Sequence, residues 1–403
     1  MQKLSPFLFF RLTDSRIFAK WTMVVFFEAT INSILFSPKK MTTLLLFSLL
    51  MVICLTESVT VPALHSSSAL QQSQRDTAAT TTKAAALSRA HFLNPLVDEQ
   101  PATWDFGYAP LLLAQSNFVP VVLDAFVYLP GGLVSSDGEF SFSATQQRYS
   151  PKDDAWETLP SFPGRVVSSF TVAPSPNASS PALYYFQYDS IWRYDIPSGR
   201  WSLSSWGGIS PLIGSAAVTS GPLIYLLGGG SATTGLANLS SFVSYDPVQG
   251  SFSRLASLPV GRLSLQACVS GNRIYAVSGL AQDPLQPSGY SFYPYVDWYD
   301  LKAGSWNTSS GPARPFYPGD SGLGAQGVAC SGDLVYVFYG ESLVQSYDPS
   351  ADQWQIVPSQ PSYQDIGLGF GVTTFGQDIY LFGGFSAIDV EFLTNTIRFV
   401  PPS

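Results

Sequence analysis

The chain has 403 residues, 46% hydrophobic and only 12% charged, which supplies apolar surface for a substantial core but not the Glu- and Lys-rich faces of a helical bundle. A formal net charge of −8, with no Lys/Arg block beyond Lys39-Lys40, argues against a nucleic-acid partner, because phosphate recognition needs a dense basic surface. Three cysteines are too few for a disulfide framework.

Residues 1–63 read as a leader. The uncharged run Met41 to Thr56, flanked by Lys39-Lys40, has the length and flank of a secretory signal core and is short for a spanning helix of about 20 residues. Cleavage is expected between Thr56 and Ala63. An uncleaved signal anchor is the rival reading and the only expected membrane contact, and translation could start at Met1 or at Met41. Residues 64–100 follow as a linker: Ser66 to His91 is rich in Ser, Thr, Ala and Gln and cannot bury enough surface to offset its ordering entropy. Both histidines, His65 and His91, lie in it.

From residue 101 onward the pattern changes to short apolar stretches of period two. They run Ala125 to Gly132, Ala182 to Tyr188, Leu223 to Gly230, Arg273 to Gly279, Leu334 to Gly340 and Asp378 to Gly384. Alternation with β-branched and aromatic residues predicts strands, and the terminal glycines supply a tight exit. After each of the first five comes a tyrosine followed seven residues later by Trp or Phe: Tyr149 to Trp156, Tyr194 to Trp201, Tyr245 to Phe252, Tyr299 to Trp306 and Tyr347 to Trp354. The intervening Asp, Pro and Gly residues predict a hairpin turn, with both aromatic residues on one face. Cys268 and Cys330 fall on apolar strands, where buried free thiols are the favoured expectation and a mutual disulfide the alternative. Three N-glycosylation sequons begin at Asn177, Asn238 and Asn307.

The two ends complete one another. Phe399 and Pro401 stand where the repeat places Tyr and Pro, with no Trp after them, and Trp104 lies 24 residues before Tyr128, inside the spacing of the internal repeats. The strand around Trp104 is therefore expected to complete the last sheet.

Gly-Gly after an apolar strand, then Tyr-Asp-Pro, then Trp, then Leu159-Pro160 and Arg165, resembles the Kelch repeat. The resemblance covers about residues 101–403 in six copies and implies an all-β fold: a six-bladed β-propeller of four-stranded blades, closed by the N-terminal strand. The second copy lacks the double glycine, the third has Phe252 for Trp, and the fourth and fifth keep only Ser278-Gly279 and Tyr339-Gly340.

The resemblance implies a working face made by the loops after each second strand and the loops entering each new blade. Arg165, Arg262 and Arg314 lie in entering loops; they either converge on a carboxylate-bearing ligand or pair locally as part of the repeat. Two long aromatic loops, Gly279 to Trp298 with Tyr290, Tyr293 and Tyr295, and Gly311 to Gly327 with Phe316 and Tyr317, are expected on the same face. The expected function is a secreted or lumenal, non-catalytic binding module for a protein or glycan, without cofactor or metal. The alternative is a metal-free propeller enzyme such as a sugar mutarotase or epimerase. A copper oxidase and a Ser-His-Asp hydrolase are disfavoured because residues 92–403 contain no histidine.

Overall fold

The computed structural model describes residues 101–402 apart from 137–138, 165, 167–170, 188–189, 206–211, 232–239, 285–289, 313–324, 340–342, 358–365, 387–388 and 390. The leader and linker, with Met41 to Thr56, lie outside the described residues.

Six four-stranded antiparallel sheets follow one another along the chain. The first comprises Val121–Leu123, Phe126–Ser136, Glu139–Ser150 and Ala155–Leu159; the second Thr171–Pro174, Ala182–Gln187, Ser190–Asp195 and Arg200–Ser205. The third comprises Ala216–Ser220, Leu223–Leu227, Phe242–Asp246 and Ser251–Arg254; the fourth Gln266–Ser270, Arg273–Val277, Val296–Asp300 and Ser305–Thr308. The fifth comprises Ala325–Ser331, Leu334–Tyr339, Val344–Asp348 and Gln353–Ile356. The sixth takes Gly371–Phe375, Asp378–Phe382 and Thr396–Val400, and its outer strand is Thr103–Asp105 from the other end of the chain. The first strand of each sheet lies against that of the next, and the sixth against the first, so the sheets form a closed circle.

This packing explains the sequence pattern. A second strand is covered on both faces by neighbouring sheets, so Ala182–Gln187 is buried at every position, whereas the outer strands Ser251–Arg254 and Ser305–Thr308 bury only their aromatic residue in part. The hydrophobic core is correspondingly divided into clusters, each filled from two adjacent sheets; Tyr336 and Phe338 of the fifth, for example, meet Ile379, Leu381 and Phe399 of the sixth.

The tyrosine–tryptophan spacing is the outer hairpin. Tyr149 pairs directly with Trp156, Tyr194 with Trp201, Tyr245 with Phe252, Tyr299 with Trp306 and Tyr347 with Trp354. Their ring centroids lie 4.8, 4.9, 4.7, 5.3 and 5.0 Å apart. Phe399 pairs with Trp104 in the same register at 4.6 Å, which is the expected closure.

In three of these turns a glycine takes the left-handed conformation, and in the other two Asp154 (φ 48°) and Asp352 (φ 53°) take its place. Each aspartate compensates by accepting the hydroxyl of its own tyrosine at 2.7 Å, and Asp352 also accepts the Ser310 N–H at 3.0 Å. Asp352→Ala is therefore expected to cost about 1–2 kcal/mol, losing the bonds and keeping the strain. Asp352→Gly is expected to cost clearly less in the same denaturation series, because it relieves the strain.

The carboxyls of Asp352 and Asp348 are held below the usual carboxylate range, the first by Ser310 and then the Tyr347 hydroxyl, the second by the Ser350 hydroxyl and backbone N–H. A depressed folded-state value means that this stabilisation is present at neutral pH and is lost as pH falls through the folded value. Acid titration of the melting midpoint should show the decline below about pH 3.9, the ordinary aspartate value.

Two expectations are corrected. Cys268 and Cys330 are not free thiols: they form a disulfide that joins the innermost strands of the fourth and fifth sheets, with Cα atoms 5.6 Å apart. The strands alternate their side chains toward opposite seams, so cysteines on two neighbouring inner strands can face one another although 62 residues separate them. The second strand of the first sheet does not stop at its glycines. It passes through Gly131-Gly132 with a bulge and continues to Ser136.

Candidate functional site

The double glycines explain how the loop face is assembled. At Gly383 an added Cβ would lie 2.3 Å from the Gln115 carbonyl oxygen, and at Gly384 2.7 Å from that of Ile366. Their small size lets the entering chain press onto the exit of the preceding sheet, where Gly384 N–H donates to Gln115 O and Gly229 N–H to Arg262 O. Entering segments also pair with the loop after the second strand of their own sheet. Arg262–Leu263 pairs with Leu280–Gln282, which pairs with Tyr290–Phe292. Both kinds of loop therefore lie at one end of the ring.

Arg262 lies on an outer strand of this three-stranded ribbon. Its Nη2 lies 2.8 Å from Asp297 Oδ2, and neither side chain has any exposed surface. The Tyr293 ring covers the guanidinium at 4.3 Å, and Asp297 Oδ1 accepts the Thr308 hydroxyl at 2.6 Å and the Tyr293 hydroxyl at 3.3 Å. The guanidinium nitrogens and Asp297 Oδ2 have no aligned hydrogen-bond partner, so charge and the aromatic face hold the pair rather than a bidentate fork. Burial lowers the Arg262 pKa against the opposing pull of Asp297, and burial raises that of Asp297 against the pull of Arg262. Tyr293 is pushed up to about 12 by burial, reinforced by the neighbouring carboxylate.

The structure thus brings Arg262 and Tyr293 together. In this arrangement the Arg262 side chain offers no surface to a ligand. Tyr290, Tyr293 and Tyr295 are half-buried at the ribbon, with Tyr293 and Tyr295 ring centroids 5.6 Å apart. Arg165, Arg314, Phe316 and Tyr317 lie outside the described residues, as does Asn238. Asn177 and Asn307 are exposed, the first in the turn after Thr171–Pro174 and the second on an outer strand.

Sequence reading missed Asp297. The signal was present: Gln147, Asp297 and Gln345 all stand two residues before the hairpin aromatic, and all three are buried. A buried polar residue requires a partner. Gln147 grips the segment entering the first sheet through Leu113 N–H and C=O, both at 2.9 Å, just as Asp297 holds Arg262. Also missed was a second aromatic group at this end. Phe140 of the first sheet lies 6.2 Å from Phe385 and 5.4 Å from Phe392, both in the loop after the second strand of the sixth sheet.

A closed ring of four-stranded sheets with its variable loops gathered at one end is a β-propeller. The Kelch motif matches residues 211–259, and Kelch-like proteins are similar over half or more of this chain. Kelch-like protein 25 of Xenopus tropicalis is 26% identical over 213 residues, covering 50% of this chain and 33% of that protein. Kelch-like protein 35 of Mus musculus is 25% identical over 237 residues, covering 59% and 38%. Alpha-scruin of Limulus polyphemus is 30% identical over 128 residues, covering 31% and 14%. The chain thus spans about a third of the length of the Kelch-like relatives it matches. The solved structure of YjhT is similar in fold, with a TM-score of 0.53 at 12% identity over 73% of this chain and 99% of that one.

Proposed function

We propose that the chain is a binding module of the secretory pathway or the cell exterior, non-catalytic, whose loop face takes a protein or glycan ligand. The observation that carries the binding reading is the ribbon over Arg262. It presents half-buried tyrosines at the rim, while the Arg262–Asp297 pair beneath them is sealed and spent on one another. Aromatic rims serve recognition, since their faces cover apolar peptide or sugar surface at little entropic cost. The compartment is supported by the Cys268–Cys330 disulfide, which suits an oxidising environment, and by the exposure of Asn177 and Asn307.

The full chain expressed in a eukaryotic cell is expected in the medium, to lose mass on N-glycosidase treatment, and to bind members of a glycan array or an extracellular-protein array. Tyr290→Ala with Tyr295→Ala should remove that binding at an unchanged melting midpoint, whereas Lys302→Ala, in an outer turn, should leave it intact. Retention of an unglycosylated protein in the cytosol overturns the compartment. Binding that survives loss of both tyrosines overturns the face.

A further inference from the structure

The hairpin Phe126–Ser136/Glu139–Ser150 overshoots its own sheet. Pairing with the fourth strand ends at Gln146, but the hairpin itself continues from Gly132 opposite Ser143 to Ser136 opposite Glu139. Leu133 exchanges both backbone hydrogen bonds with Ser116, at 3.0 and 2.8 Å. Leu133 opposite Phe142, and by alternation Ser135 opposite Phe140, are therefore non-hydrogen-bonded pairs, and the N–H and C=O groups of Phe140 and Phe142 point away from the hairpin. Among the described residues nothing pairs with them. The edge segment, Glu-Phe-Ser-Phe-Ser, contains neither the lysine nor the proline with which exposed edges are normally guarded.

Beside this edge stands the Phe140, Phe385 and Phe392 group, and its surroundings are acidic. Residues 106–147 and 366–397 contain no Lys or Arg, while exposed Asp389 and Glu391 lie in the neighbouring ribbon. Asp389 accepts the Ser386 hydroxyl at 2.9 Å; Glu391 has no hydrogen-bond or ion-pair partner among the described residues. An unguarded edge gives backbone hydrogen bonds, adjacent phenylalanines give apolar anchorage, and carboxylates without cations set the sign of the partner.

We propose that the outer edge of Glu139–Ser143 docks an extended basic peptide, which adds as a strand to the hairpin with alternate Lys or Arg side chains beside Asp389 and Glu391. The proposal rests on the reading of this end of the ring as a binding face, and it assigns a peptide of defined charge to the side made by the first and sixth sheets.

The test uses the full chain and fluorescein-labelled eight-residue peptides alternating Lys and Val, followed by anisotropy. Binding is expected for Lys-Val, weakened by added salt, and absent for Glu-Val. N-methylation of alternate peptide amides should cost about tenfold or more, the loss expected for two or so hydrogen bonds. Asp389→Lys with Glu391→Lys should cost at least about tenfold while leaving the melting midpoint unchanged. No binding of Lys-Val, equal binding of Glu-Val, indifference to N-methylation, retention in the charge-reversed variant, or displacement of the peptide by a neutral oligosaccharide would each overturn the proposal. The Tyr290/Tyr295 double variant separates the two readings. Array binding that depends on those tyrosines while Lys-Val fails removes the docking edge alone. Lys-Val binding that persists when array binding is absent removes the tyrosine rim alone.

Discussion

Asp297→Ala is expected to destabilise the protein by about 3–5 kcal/mol, the largest single-residue effect in the ring, because it leaves the Arg262 guanidinium uncompensated with no exposed surface. The penalty is mostly that of the stranded charge rather than the worth of the pair. Hence Arg262→Met combined with Asp297→Leu should recover most of the loss, since apolar residues of similar volume commonly match or exceed a buried ion pair. Chemical denaturation of the three variants checks this. A cost below about 1 kcal/mol for Asp297→Ala would mean that water reaches the guanidinium and that the pair is not sealed. The same geometry predicts that Arg262 variants lose stability before they lose ligand.

Trp104→Ala is expected to cost about 3 kcal/mol, toward the low end for tryptophan truncation because the side chain is half-buried. Trp104 packs on Phe399 at 4.6 Å and edge-on to Phe338 at 6.3 Å, so it joins the outer strand of the sixth sheet to both the sixth and the fifth. A double-mutant cycle with Phe399→Ala should return a coupling of about 0.5–1.5 kcal/mol, as for other aromatic pairs in contact. Removal of residues 1–95 should leave the denaturation midpoint where it is. Equal tolerance of the truncation and of Trp104→Ala would remove closure by the N-terminal strand.

The ring was legible because its physics is local and repeated. Tyr299 and Trp306, like their counterparts, are brought together by a seven-residue spacing that a two-stranded hairpin imposes, and Trp104 could be assigned to Phe399 because the repeat left one vacancy at each end. What escaped reading depends on which residues face each other across a seam. The Cys268–Cys330 bridge requires knowing that neighbouring inner strands run side by side with a one-residue offset. The burial of Arg262 requires knowing that Asp297 points at it from another strand of the sheet it enters. An arginine in an entering loop looks alike in sequence whether it reaches solvent or is spent internally. Only its opposite number decides. The overshooting hairpin was hidden for a simpler reason: the glycines that end other second strands are here absorbed in a bulge, so Gly131-Gly132 reads as a stop.

The stitched sixth sheet also sets a timetable. During synthesis Thr103–Asp105 emerges first among the strands of the ring, yet its partner, Thr396–Val400, is translated nearly three hundred residues later. Until then a tryptophan-bearing strand waits without a mate, so the nascent chain carries an apolar seam that only this late strand can cover. Ribosome-bound intermediates of this protein should therefore depend on chaperones until Thr396–Val400 has emerged, and a stall shortly before Thr396 should leave the sixth sheet with its two inner strands but without its outer pair.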